Sequence, residues 1–271
     1  MKAINKIISD LNEYGIAKSH ITELFNEQYI EYFNNASKFM YEKMFDTPTV
    51  QDYINAVNNN QPAPKRWYEQ SKKYEFPHYA CLKRGITFDD GDIAKLYTAP
   101  ALLKIADGYY GEWCKIRNIL AWINLPNALN EGRNGSQKWH MDTEDVDYRT
   151  VKEDKSRKLL KVWFYITDID EQTGAMEYKN LKDKEVTACG EKGTIYFVNT
   201  AQYHRGGFVQ KDHRMIVQGC YLNPGAWQLN QSTHLKKLNY VSNGRAMWDL
   251  RQDHDYYQSL DERGKFLFSD N

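Results

Sequence analysis

Apolar residues recur at helical spacing near the start of the chain. Ile4, Ile7, Ile8 and Leu11 share one face of residues 3–13, and Gly15 stands where a C-terminal glycine ends such a pattern. A second run, from Ser19 to about Phe45, keeps rough helical spacing through Ile21, Leu24, Phe25, Ile30, Phe33, Phe39 and Met40 and predicts another helical stretch. Residues 46–90 offer a loop at "NNNQPAPKRW" and a break at Pro77, and "APALLKIADGYYG" predicts a short helix ending at Gly108 or Gly111. The pattern then changes. "KIRNILAWINLP", "LLKVWFYITDID", "GTIYFVN" and "RMIVQGCYLNP" are rich in β-branched and aromatic residues and are separated by Gly, Asn and Asp turns, so each predicts a strand. Helices first and antiparallel strands afterwards predict an α+β chain whose second part is a jelly roll or barrel. The tail, Gly225 to Asn271, mixes polar residues with Trp227, Trp248 and Tyr256 and is expected to pack back on the strands as loops and a short helix.

Composition narrows the class of partner. The chain has 271 residues and no Pro/Ser/Gly-rich linker or repeat, which fits one large domain. Its 36 basic and 36 acidic side chains cancel, so no overall field favours nucleic acid or an anionic membrane surface, and a small-molecule substrate is expected. No apolar run approaches the roughly 20 residues of a membrane span, and "MKAINKIISDLNEYGIAK" lacks the apolar stretch of a signal peptide. Cys81, Cys114, Cys189 and Cys220 form no C-x-x-C pair, which suits reduced thiols and a cytoplasmic location.

The candidate chemistry starts at "SQKWHMDTED", residues 136–145. On a strand, His140 and Asp142 at i and i+2 point the same way and can bind one ion together, although an isolated H-x-D is more often a hydrogen-bonded turn. His204, at the end of the strand beginning near Gly193, offers a third ligand. Two histidines and one carboxylate form the facial triad of non-haem Fe(II) oxygenases, with open positions left on the metal. Arg214 follows ten residues later and opens "RMIVQGCY". If its strand neighbours that of His204, its guanidinium reaches the same cavity and can hold a carboxylate by two parallel hydrogen bonds.

Rivals stand beside this set. Glu144 would replace Asp142 only in a helical segment, Asp145 is a further competitor, and His213 is expected to face away from Arg214 on alternate sides of a strand. His20, His78, His234 and His254 lack metal-ligand spacing. Trp163 and Tyr165 share a strand face that is equally core or pocket. Lys152, Lys155, Arg157, Lys158 and Lys161, interleaved with Glu153 and Asp154, read as a solvated loop, with a lid gripping an anionic substrate as the alternative.

The order W-H-x-D, "KVWFYITDIDEQTGAMEY", "GEKGTIYFVNTAQYHRGG" and then H-x9-R resembles the phytanoyl-CoA dioxygenase (PhyH-like) branch of the Fe(II)/2-oxoglutarate oxygenases over about residues 115–222. "EYGIAKSHITELFNEQYIEYF" is similar, more loosely, to that family's opening. The resemblance implies a double-stranded β-helix (jelly-roll, cupin-like) core with N-terminal helices packed on it, in one domain over 1–271. Residues 1–114 would be mainly helical support, 115–223 the core and 224–271 a packing segment. It implies His140, Asp142 and His204 as iron ligands, Arg214 as partner of the 2-oxoglutarate C5 carboxylate, Asn124 and Gln137 as polar contacts to that cosubstrate, and Trp163 as pocket lining. The implied reaction consumes O2 and 2-oxoglutarate, releases succinate and CO2, and hydroxylates a C–H bond. Asp142 stands where related halogenases have a small residue, which favours hydroxylation, with desaturation or ring closure also open. Cys220 replaces the second arginine of the AlkB-type repair oxygenases. After "TGAMEY" the chain reads "KNLKD" where the family commonly has a Pro-Gly-Ser-His-like turn, a departure that leaves the triad intact and argues against assuming a family-typical substrate. An oxygenase acting on an amino-acid or protein side chain, and a non-catalytic jelly-roll binding module, are the alternative readings.

Overall fold

The computed structural model describes residues 2–59, 61, 81–86, 88, 90, 92–126, 133, 135–143, 154–227 and 254–269. Helix α1 (Lys2–Tyr14) buries Ile7 and Leu11 and stops at Gly15, whose N–H donates to the Leu11 carbonyl at 2.9 Å. The next stretch is not the continuous helix that its hydrophobic period predicts. Residues Ile16–His20 form strand β1. His20 then opens a reciprocal cap: its ring accepts from the Thr22 N–H, and Glu23 accepts from the His20 N–H at 3.1 Å. The cap starts the single turn α2 (Ile21–Leu24), and a new cap at Asn26 starts α3 (Glu27–Met40), which runs into a π-helical turn at Tyr41–Phe45. A helical period survives because α2 and α3 bury the same face, while polar caps cut the backbone between them.

Helix α4 (Pro48–Asn58) lies just before the predicted loop, in residues to which the sequence pattern assigned no element, with its proline at the start, where the missing N–H costs nothing. Strand β2 (Cys81–Gly85) follows, then α5 (Ile93–Tyr97) and α6 (Pro100–Tyr110). Gly111, at φ 82°, ends α6 in the left-handed conformation. Gly108 lies inside α6, where a Cβ would sit 2.5 Å from the Ile8 side chain, so α1 and α6 pack closely.

Two antiparallel sheets follow. Strands β3 (Lys115–Asn124), β4 (Leu160–Tyr165), β7 (Thr194–Asn199) and β9 (Arg214–Leu222) join β1 and β2 in a six-stranded sheet of order β1-β7-β4-β9-β3-β2. Strands β5 (Met176–Lys179), β6 (Glu185–Ala188) and β8 (His204–Arg205) form a smaller sheet of order β6-β5-β8. This is the expected α+β jelly roll. Every residue of β4, β7 and β9 is buried because the large sheet is covered on both faces. Ile119, Ala121, Val162, Phe164, Phe197 and Val217 pack with Leu11, Phe33, Met40, Leu102 and Ile105 of the helices, whereas Trp163, Tyr165, Tyr196 and Ile216 meet Met176 and Tyr178 of the small sheet.

Register orders the side chains on that inner face. Along β9, Arg214 pairs with Asn124, Ile216 with Trp122 and Tyr165, Gln218 with Leu120 and Trp163, and Cys220 with Asn118 and Lys161. An irregularity in β3 between Ile116 and Asn118 shifts the register at Arg117. The tail contributes α7 (Asp255–Ser259) and α8 (Glu262–Phe268), and the buried Lys115 ammonium donates to the Phe266 carbonyl at 3.0 Å and to Ser269 Oγ at 2.6 Å. Trp248 lies outside the described residues. Among those described, no helix is long and apolar enough to cross a membrane.

Candidate metal centre

Backbone pairing across two loops creates the site. His140 and His204 exchange N–H···O bonds, His140 N–H to His204 O at 3.0 Å and His204 N–H to His140 O at 2.9 Å. This isolated bridge brings the two rings together, tilted by 47° with centroids 4.3 Å apart. The Asp142 N–H donates to the Thr200 carbonyl at 2.8 Å and sets the carboxylate on the same side. One ligand atom from each of His140, Asp142 and His204 therefore lies within 4.8 Å of the others. The segment is not the regular strand inferred from the i, i+2 spacing, but the alternation of an extended backbone is enough to bring the pair together.

The outer nitrogen of each ring is already engaged. His140 Nδ1 lies 2.8 Å from the Lys138 carbonyl and His204 Nδ1 3.0 Å from the Gln202 carbonyl. A carbonyl only accepts, so Nδ1 of each ring carries a proton, which in the neutral tautomer leaves the Nε2 lone pair facing Asp142. His204 Nε2 is 3.5 Å from Asp142 Oδ2, and His140 Nε2 is 3.9 Å from Oδ1. Burial lowers the His204 pKa to about 4, against the opposing pull of Asp142, so this imidazole is neutral near pH 7. For Asp142, burial pushes the pKa up, but Lys161, His204 and His140 together hold it well below the usual carboxylate range. Two imidazole nitrogens and one ionised carboxylate on one side of a cavity are a donor set that fits a divalent first-row metal.

Two basic side chains of the supposed solvated loop grip Asp142. Lys161, 7% exposed and on β4, places Nζ 2.6 Å from Asp142 Oδ2, and Arg157 Nη2 donates to the Asp142 carbonyl at 2.9 Å. Lys158 is half-buried against the Tyr109 ring, while Lys155 pairs with Asp183 in the open. Lys161 therefore belongs to the site. The available signal was its spacing, since it alternates with Trp163 and Tyr165 on one strand face. Lys152, Glu153, Glu144 and Asp145 fall outside the described residues.

His204 does not end the strand that begins near Gly193. β7 stops at Asn199, a turn intervenes, and His204 lies on β8 in the small sheet. Nor is its strand a neighbour of Arg214's, because β9 belongs to the large sheet. The two residues reach one cavity because the sheets face each other. Arg214, 7% exposed, donates through Nε and Nη2 to Asn124 Oδ1 at 3.2 and 2.8 Å and through Nη1 to the Gly174 carbonyl. Asn124 thus orients the guanidinium.

Gln137, buried in the 3-10 turn Gly135–Gln137, and Trp163 line the same cavity, about 220 Å³ in volume, with the triad and Arg214. Arg117, Asn118 and Gln218, which the sequence reading did not single out, line it too. Glu177 holds Arg133 at 2.7 Å and also Arg205, whose guanidinium lies 4.6 Å from the Trp139 ring, and so ties the His140 segment to the small sheet. His213 points away, as expected, its ring 4.1 Å from that of Phe45. His20 caps α2 and His254 caps α7, whereas His78 and His234 lie outside the described residues.

No protein-family profile matches the sequence. No curated protein matches it either. Solved structures do. The non-heme alpha-ketoglutarate-dependent epimerase SnoN from nogalamycin biosynthesis aligns with TM-score 0.54 and 10% identity over 82% of this chain and 83% of its own. The carbocyclase SnoK from the same biosynthesis aligns with TM-score 0.52 and 13% identity over 88% and 91%. HygX from Streptomyces hygroscopicus, with nickel and 2-oxoglutarate bound, aligns with TM-score 0.51 and 11% identity over 81% and 87%. At these identities the likeness establishes that the chain shares their fold.

Proposed function

We propose that the chain is a non-haem Fe(II)/2-oxoglutarate-dependent dioxygenase of the phytanoyl-CoA dioxygenase-like type, a single oxygenase domain over residues 1–271. It hydroxylates a C–H bond of a small molecule with release of succinate and CO2. The observation that carries this reading is the meeting of His140, Asp142 and His204 in a cavity that also holds Arg214. The fold shared with SnoN and SnoK, named as alpha-ketoglutarate-dependent enzymes, and with HygX, solved with 2-oxoglutarate, supports the same cosubstrate.

In this reading Nε2 of both histidines and one oxygen of Asp142 hold Fe(II), which supplies the activation of O2 when bound. The carbonyls of Lys138 and Gln202 fix the ring tautomers, and Lys161 pairs with Asp142 through Oδ2 and so shares its negative charge with the metal. Arg214, oriented by Asn124, binds the C5 carboxylate, which a planar guanidinium matches better than an ammonium. Gln137 flanks the cosubstrate, and Trp163 lines the same cavity farther from Arg214.

Anaerobic addition of Fe(II) and 2-oxoglutarate tests the assignment. A weak visible charge-transfer band is expected in the wild type and not in His140→Ala or Asp142→Ala. A wild type that gives no band, and no succinate once O2 is admitted, would leave only a non-catalytic binding module.

A further inference from the structure

Strands β3, β9 and β4 carry the cavity wall away from Arg214. Two residues beyond the row of Trp122, Ile216 and Tyr165 comes Leu120–Gln218–Trp163, and two beyond that Asn118–Cys220–Lys161. This end holds polar atoms that, among the described residues, have no hydrogen-bond partner. Trp163 is 8% exposed, yet its Nε1–H meets no acceptor, and the buried Oδ1 of Asn118 meets no donor. Both side chains line the cavity, with buried Gln218 between them. Desolvated groups of this kind are unfavourable when left unmatched, and a ligand that matches them removes the penalty.

Their chemistry limits that ligand. Trp163 donates and asks for an acceptor, the Asn118 oxygen accepts and asks for a donor, and the Gln218 carboxamide can do either. A carboxylate or phosphate would satisfy the indole but offer no donor to the Asn118 oxygen. An alkyl chain would satisfy neither. β3 and β4 flank β9, so their backbones stand about 10 Å apart, two interstrand spacings. A ring bearing several hydroxyls can reach both sides, offering an acceptor to the indole and a donor to the carboxamide oxygen. Leu120, Ile216 and the indole face supply the apolar surface for such a ring.

We propose that Asn118, Trp163 and Gln218 form the substrate subsite and that the substrate presents a neutral, polyhydroxylated ring, of the sugar or cyclitol type, to it. The proposal rests on the oxygenase reading for the word substrate, but the subsite can be probed without turnover.

Ligand-observed saturation-transfer NMR on the metal-free chain, with myo-inositol and methyl β-D-glucopyranoside as probes and hexanoate as control, reads binding directly. Transfer is expected to the hydroxylated probes and not to hexanoate. Trp163→Phe, which keeps the ring stack and removes the N–H, and Asn118→Leu, which keeps the volume, are each expected to bind about tenfold more weakly, the loss of one hydrogen bond. Either variant serves if the other fails to fold, as judged by its melting profile. Absence of transfer to both hydroxylated probes, preference for hexanoate, or undiminished binding by a folded variant overturns the subsite. A charge-transfer band in the wild type alongside any of these results leaves the oxygenase reading standing, whereas loss of the band with retained probe binding removes the oxygenase and keeps the subsite.

Discussion

Lys161 and a metal ion compete for the same negative charge, and replacing Lys161 separates their contributions. In the metal-free chain, Lys161 is the closest cation to Asp142, at 2.6 Å, with side chains only 9% and 17% exposed. Removing one partner of a fully buried pair costs about 3–5 kcal/mol, because the other charge is left uncompensated. The residual exposure of Asp142 puts Lys161→Met nearer about 2–3 kcal/mol. For a chain of this size that lowers the melting temperature by about 5–10 °C. Methionine keeps most of the stem volume, so packing contributes little to the loss. A divalent ion restores the missing positive charge. The variant should therefore recover most of its stability in Ni(II), a redox-inert stand-in, and bind Ni(II) at least about tenfold more tightly than the wild type, equivalent to 1.4 kcal/mol. Differential scanning calorimetry with and without Ni(II), with titration calorimetry of both proteins, reads these quantities. Unchanged stability of the metal-free variant, or weaker Ni(II) binding, refutes the idea that Lys161 and the metal share Asp142.

Two other perturbations probe neighbouring parts of the site. Arg214→Lys keeps the charge and loses the planar fork, so 2-oxoglutarate should bind about 10–100-fold more weakly in a titration of the charge-transfer band, with metal affinity unchanged. Burial raises the Glu177 pKa, but Arg205 and Arg133 together lower it. Its contribution to stability is therefore present above the carboxyl's ordinary value of 4.5 and is lost as pH falls through the lower folded value. Wild type should melt above Glu177→Gln near neutral pH, and the two curves should converge below pH 4.5; parallel curves would contradict the linkage.

The long strands of the large sheet were legible because both faces are buried, which leaves continuous apolar runs such as "LLKVWFY" and "GTIYFVN". β5, β6 and β8 were not, since two to four residues carry no readable period. β1 was not legible because Ile16, Ala17 and Lys18 fall between the two helical patterns and show no period of their own, Ala17 packing with the helices and Ile16 with the small sheet. The spacing of His140, Asp142, His204 and Arg214 named the residues that meet, but not the way they meet. It suggested neighbouring strands, whereas the residues come from facing sheets. Lys161 was lost in a basic run because charge alternation normally marks solvated surface. Only its place on a buried strand distinguishes it from Lys155, which lies in the open on Asp183.

The oxygenase reading stands or falls on where the oxygen goes. The chain, reconstituted with Fe(II) and 2-oxoglutarate and exposed to 18O2, should form succinate carrying one labelled oxygen, and Asp142→Ala should form none. Fe(II)-independent succinate, unlabelled succinate, or no succinate at all from the wild type would contradict it.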